Sequence, residues 1–462
     1  MGAPAIRFLL LVWVLALVSC GSCHQRGPAG PPLAEERAPS APVPGTEVPE
    51  PAPLPGEVRT QVQDVAEVCV RLDDLPAPFA SESARKSPNL VDPPADATLR
   101  VPRAEGGRFR VQLFADEVPF ARWLARTPDG RVLVAQSKAE RISWLRDADG
   151  DGVADSRGRL GDGAQGLDIP FGMAFAPDGR ALYVGNQNAV RRYAWRRGQE
   201  RLEGPGEVVA ELPGGGYRQH WTRNVLLDGE RMFVSVGSRS NVAVEAAPRA
   251  TIQVADFDPS VPGGRVGPLR TFAAGLRNPV GLALREGALW ATVNERDHLG
   301  DDLVPDYLAR IEEGAFYGWP YAYLAPNLLD PRRLAGGRSE DPARAAATRS
   351  PEVLFQAHSA ALGLGFVPED APLPARYRGG AIVAHRGSWN RSAGTGYRLV
   401  FVPFEGGAAT GCYEPFVEGF LVDPSGPDTW GRPVGVLVQP DGSVLFTEES
   451  GGRVYRVSFA AR

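Results

Sequence analysis

Lysine is almost missing from this chain, standing only at Lys86 and Lys138, and that removes most options for a Schiff-base or amine nucleophile. Methionine is confined to Met1, Met173 and Met232, and cysteine to four positions with no zinc-like spacing among them. There is no basic field either: a formal net charge of -5 and a pI near 5.7 argue against nucleic acid as the main partner. Long amphipathic helical patterns are absent. The N-terminal apolar run, Phe8 to Val18, is short of the roughly 20 residues a membrane-spanning helix needs. What the chain has instead is bulk, with 462 residues that are 43% hydrophobic and 23% charged. That is enough to bury a large core and excludes a disordered protein.

The N-terminus has the layout of an export signal: Arg7, the short apolar run, then small residues before Cys20. Leu17-Val18-Ser19-Cys20 is similar to a bacterial lipobox, which implies a signal peptide over residues 1–19 and lipidation of Cys20. The expected location is the cell envelope, anchored by lipid and facing an oxidising compartment. Gly21, rather than Asp, after the lipidated cysteine leans toward the outer membrane. Cys20-Gly-Ser-Cys23-His24 also matches a covalent haem attachment pattern. A c-type cytochrome needs a small helical domain and usually a downstream methionine, whereas a Pro/Ala-rich stretch follows here. Residues 20–62 read as an extended tether and 63–106 as an extended lead-in. Of the cysteines left after lipidation, Cys69 with Cys412 is the favoured disulfide, because Cys23 lies in the tether.

Beyond about residue 105 one unit recurs: an apolar strand, a Pro-Asp-Gly-like turn, a second apolar strand, then a third carrying Arg and aromatics. ARWLARTPDGRVLVAQ, FGMAFAPDGRALYVGNQ, TRNVLLDGERMFVSVGS, PVGLALREGALWATVNE, the stretch from LGLGFVPE to AIVAH, and VGVLVQPDGSVLFTEES are its six versions. Asp-Gly between alternating apolar runs is a hairpin signal, and each unit has room for a four-stranded antiparallel sheet. With 54 Gly and 43 Pro, the expectation is an all-β, six-bladed β-propeller over residues 107–462, its channel ending in a loop-lined pocket. Stacked sandwiches would not explain six repeats.

Two acidic loops stand out. Asp147-Ala-Asp149-Gly-Asp151-Gly-Val-Ala-Asp155 offers oxygen donors at positions 1, 3, 5 and 9 with Gly at 6, the front of a calcium loop. Gly158 stands where the bidentate Glu belongs, so a solvated hairpin tip is the competing reading. The second loop, Asn294-Glu295-Arg296-Asp297-His298-Leu299-Gly300-Asp301-Asp302, lies in the stretch Gly275 to Tyr321 and follows a buried-looking strand. His220, Arg277, Asn278, His358, Arg386 with Trp389, and Arg432 fall at strand ends or in turns of four repeat units. Several Arg converging with a His at one channel end favours an anionic ligand with more than one carboxylate, since forked guanidiniums suit carboxylates.

GLRNPVGLA, NERDHLGDDLVPDYL, FYGWPY, HSAALGL, GSWNR and WGRPVGV resemble, in order, the soluble glucose/sorbosone dehydrogenase family, whose members are six-bladed propellers that use pyrroloquinoline quinone (PQQ). The resemblance covers roughly residues 107 to 458. It implies a PQQ- and calcium-dependent oxidation of an aldose or sorbosone-like sugar, with His220 as the base and Arg277, Asn278, Arg386 and Arg432 as cofactor contacts. It implies further that a PQQ-linked calcium is held by main-chain oxygens near Asp297 and His298, with Asp301 and Asp302 as nearby acidic support. His298 and His358 otherwise read as structural. The sequence departs from glucose-oxidising members at Val280, where they carry Gln, at Arg386, where relatives have Lys or His, and at Asp297-His298-Leu299, which lacks their Gly-Pro. A calcium-dependent lactonase, with a cage drawn from Asn224, Asn278, Asn294 and Glu295, and a non-catalytic binding propeller are the alternatives.

Overall fold

The computed structural model describes residues 52–216 and 220–462. Cys20, Cys23, the expected signal peptide and most of the expected tether lie outside the described residues. Pro53–Arg462 forms one compact unit. It is nearly all β, its one α-helix among the described residues being the single turn Pro342–Ala346. None of the described helices is long and apolar enough to cross a membrane.

Among the described residues, six sheets of four or more strands carry the fold. Their innermost strands are Ala121–Arg126, Met173–Phe175, Val225–Leu227, Asn278–Arg285, Ala361–Phe366 and Pro433–Val438. Each pairs antiparallel with the next strand of its repeat. The Asp-Gly turns that signal these hairpins place Gly130, Gly179 and Gly442 at positive φ, which glycine adopts without steric cost. Each innermost strand touches its neighbours, the first meeting the sixth, so the six strands close a ring.

Glycine makes that ring tight. A Cβ on Gly435 would lie 2.3 Å from the Arg122 carbonyl oxygen, one on Gly363 2.4 Å from that of Val434, and one on Gly281 2.3 Å from that of Leu362. Threonines seal the same joints: the Thr292 hydroxyl donates to the Leu362 carbonyl at 2.6 Å, and that of Thr447 to the Arg122 carbonyl at 2.8 Å. Apolar side chains fill the layers between sheets, for example Phe233, Ile252, Leu289 and Tyr307 between the third and fourth.

The sixth sheet takes its fourth strand from the other end of the chain. Arg453–Ala461 pairs antiparallel with Gly107–Ala115, which tethers the C-terminus to the first repeat. Leu99–Ala104 and Thr60–Gln63 extend this sheet, with Glu57 ion-paired to Arg110. Glu57 and residues 60–63 are therefore packed against the sheets. The lead-in is likewise built into the molecule, since Cys69 is joined to Cys412 by a disulfide and Val68 exchanges backbone hydrogen bonds with Tyr413.

Candidate active site

All six innermost strands begin at the same end of the ring, and a cavity of about 360 Å³ opens there. Positions just before or near the start of five of these strands line it: Arg122, Thr222, Asn278, Ala360 and Arg432. His220, Arg277, Asp297 and Arg386 line the same space. The fold thus brings together residues spread over more than three hundred positions of sequence.

His220 is buried, and its Nδ1 sits 3.1 Å from the Ser238 hydroxyl and 3.3 Å from the Ser238 carbonyl. That hydroxyl spends its proton on the Ser240 carbonyl at 2.7 Å, so it accepts from the imidazole. Nδ1 therefore carries the proton and Nε2 is the basic nitrogen. Burial, reinforced by the positive charge of Arg277, holds the imidazole pKa well below its ordinary value, so the ring is neutral at neutral pH.

Arg277 is locked in place. Its Nη1 donates to the Glu295 carbonyl at 2.5 Å, and its Nη2 to Asp297 Oδ2 at 2.8 Å and Asn241 Oδ1 at 2.9 Å. On the opposite wall Arg122 and Arg386 both pair with Glu449, while Arg432 donates to the Gly387 carbonyl at 3.0 Å. Burial would push the Glu449 carboxyl upward, but the charges of Arg122, Arg386 and Arg432 outweigh it and hold the group below the usual carboxylate range. Arg122 and Glu449 escape a reading of the sequence. Each stands alone in an ordinary strand or turn pattern, and 327 residues separate them.

Two further acids line the cavity. Burial raises Glu295 to about 8 and Asp306 to about 7. Asp306 is held by two backbone donors, Glu295 at 2.8 Å and Ala360 at 2.6 Å. Four buried polar atoms of the lining, Arg122 Nε, Thr222 Oγ1, Asn278 Oδ1 and Glu295 Oε1, have no hydrogen-bond partner among the described residues. Buried polar atoms without partners are costly, and a polar ligand would satisfy them.

The side chains of the acidic loop diverge. His298 and Gly300 take positive φ and swing successive side chains apart. Asp297 stays at the cavity. Asp301 instead accepts from Ser392, Asp302 pairs with Arg391 at 2.7 Å, and His298 packs edge-on against Trp389. Asp301, Asp302 and His298 are therefore not cavity residues. Around the cavity no three acidic, His or Cys ligand atoms lie within 4.8 Å of one another among the described residues; such a group does form at Asp147, Asp149 and Asp151, without Asp155. The side chains of the second loop form no such cluster, so a calcium ion there would be held by the main-chain oxygens near Asp297 and His298. His358 does line the cavity, its Nε2 3.0 Å from the Gly300 carbonyl. Asn224 turns its amide to the Val280 carbonyl at 2.9 Å.

A family model described as TrAA12-like matches residues 104–306 and 315–460. The chain belongs to the TrAA12-like family. Among curated proteins, an uncharacterized protein of Borreliella burgdorferi is 28% identical over 261 residues, 55% of this chain; the match spans 64% of that protein's length. Two solved structures share the fold of this TrAA12-like chain. One is the iodide form of the Trichoderma reesei carbohydrate-active enzyme of family AA12, with TM-score 0.64 and 20% identity over 81% of this chain and 100% of that one. The other is the holo form of the PQQ domain of pyranose dehydrogenase from Coprinopsis cinerea, with TM-score 0.64 and 19% identity over the same shares. Within the TrAA12-like fold, the cavity where the inner strands begin is the candidate active site.

Proposed function

We propose that the protein is a PQQ-dependent dehydrogenase of aldoses or related aldehyde sugars, built on a six-bladed β-propeller whose blades are the six sheets. The observation that carries this reading is one cavity holding four arginines, three of them buried, and a neutral histidine with a defined tautomer. A tricarboxylate such as PQQ suits the arginines, and the unpartnered Thr222 hydroxyl can donate to one of its oxygens. Arg122, Arg386 and Arg432 would hold it on one wall and Arg277 with Asn278 on the other. When bound, PQQ supplies the acceptor for the hydride. His220 Nε2 takes the proton of the sugar hydroxyl at the carbon being oxidised, and Ser238 keeps the ring oriented for that transfer. The buried wall around the base excludes water.

The lactonase reading needs a cation at the channel centre. Four guanidiniums around the cavity oppose one, and Asn224 is turned to backbone. Calcium belongs to the proposal in a structural role at Asp147, Asp149 and Asp151. Lipidation at Cys20, an outer-membrane position and an electron acceptor outside the protein complete it. Purified protein loaded with PQQ is expected to reduce an artificial dye with an aldose or a sorbosone-like sugar. Absence of PQQ uptake in an absorbance titration would refute the reading.

A further inference from the structure

One wall of the cavity comes from outside the ring of six sheets. Ser87 and Pro88 line it, yet the family match begins at residue 104. They belong to a segment that runs over the site end of the molecule and is fastened along its length. At its start Cys69 is bonded to Cys412. Further on, the Phe79 amide donates to the Leu299 carbonyl at 2.7 Å. Ser83 and Ser81 hydroxyls each accept from a backbone amide, of Gly300 and Asp301, at 2.8 Å. The Asn390 amide donates to the Ala84 carbonyl at 2.7 Å, and the Lys86 amide to the Trp389 carbonyl at 2.9 Å. Beyond the cavity, Asn89–Leu90 pairs in parallel with Asp428–Thr429. Anchors therefore flank Ser87 and Pro88 on both sides, so these two residues are a fixed border.

We infer that this strap sets the size of the sugar the site accepts, admitting single-ring or open-chain sugars and turning away longer saccharides. The inference rests on the catalytic reading above. A cavity of about 360 Å³ lies near the lower end of the roughly 300–1,000 Å³ of ligand pockets, and PQQ itself is a three-ring molecule. The space left holds one small substrate, and the strap blocks its extension on the side of Ser87, Pro88 and Trp389. Pro88 contributes a rigid ring to that border, with φ fixed by its chemistry.

The test compares the natural protein with Ser87→Gly/Pro88→Gly, which trims the border and leaves every anchor in place, and with Ser87→Trp, which thickens it from an exposed position. Each is loaded with PQQ, the cofactor uptake is titrated by absorbance, and kcat/KM is measured with a dye for glucose against cellobiose and xylose against xylobiose. Calorimetric affinity for the same sugars is the second readout. Trimming is expected to raise the disaccharide-to-monosaccharide ratio at least tenfold, and Ser87→Trp to lower it, with PQQ affinity within twofold throughout. An unchanged ratio in proteins that bind PQQ overturns the strap's role alone. Failure of all three to bind PQQ overturns the catalytic reading and the strap's role with it.

Discussion

Replacing Glu449 by Gln probes the arginine cluster directly. Glu449 is the acid that bridges Arg122 and Arg386, and Arg432 is a third charge near it. Removing one partner of a buried ion pair costs about 3–5 kcal/mol, because the remaining charges stay buried and uncompensated. At about 2.1 cal/mol/K of unfolding entropy per residue, the unit Pro53–Arg462 gives roughly 0.9 kcal/mol/K. The Tm of the cofactor-free variant should thus fall by about 4–6 °C. PQQ carboxylates would return counter-charge to the guanidiniums, so saturating PQQ should raise the Tm of Glu449→Gln by clearly more than it raises that of the natural protein. Differential scanning calorimetry of both proteins with and without PQQ reads all four values. A Tm unchanged by the substitution, or an equal PQQ shift in both proteins, would refute the argument that these arginines form an anion site.

His220→Gln should lower kcat/KM by about 10²–10⁴, the usual worth of a general base, while PQQ uptake by absorbance stays within severalfold; equal turnover would remove the imidazole from the proton transfer. Glu295 makes a pH prediction. Burial raises it from 4.5 to about 8, so the native state keeps a proton that the unfolded chain releases, and stability declines as pH rises between those values. Glu295→Gln should flatten that decline by up to roughly 5 kcal/mol. Urea unfolding at pH 5.5 and pH 8 checks it, and an unaltered slope contradicts the assignment.

The regular parts of the molecule are legible because they are periodic. Alternating apolar runs around Asp-Gly turns mark the hairpins at Gly130, Gly179 and Gly442 in the sequence itself. His220, Arg277, Asn278, Arg386 and Arg432 stand at or near strand ends, and closing the ring gathers those ends at one cavity. Arg122 and Glu449 are invisible in sequence because their pairing exists only once the first sheet meets the last. The side-chain directions of Asp301 and Asp302 are equally invisible. Both residues neighbour Asp297 in sequence, but positive φ at His298 and Gly300 turns them outward to Ser392 and Arg391. The strap carries no repeat, so its place at the cavity mouth follows from its anchors rather than from any pattern.

The measurement closest to the central claim is an absorbance titration of the purified natural protein with PQQ, repeated with Arg277→Ala/Arg432→Ala. One equivalent of PQQ taken up saturably by the natural protein, and binding weakened at least a hundredfold in the double variant, is the predicted result. No saturable uptake, or equal uptake by both proteins, would contradict the account.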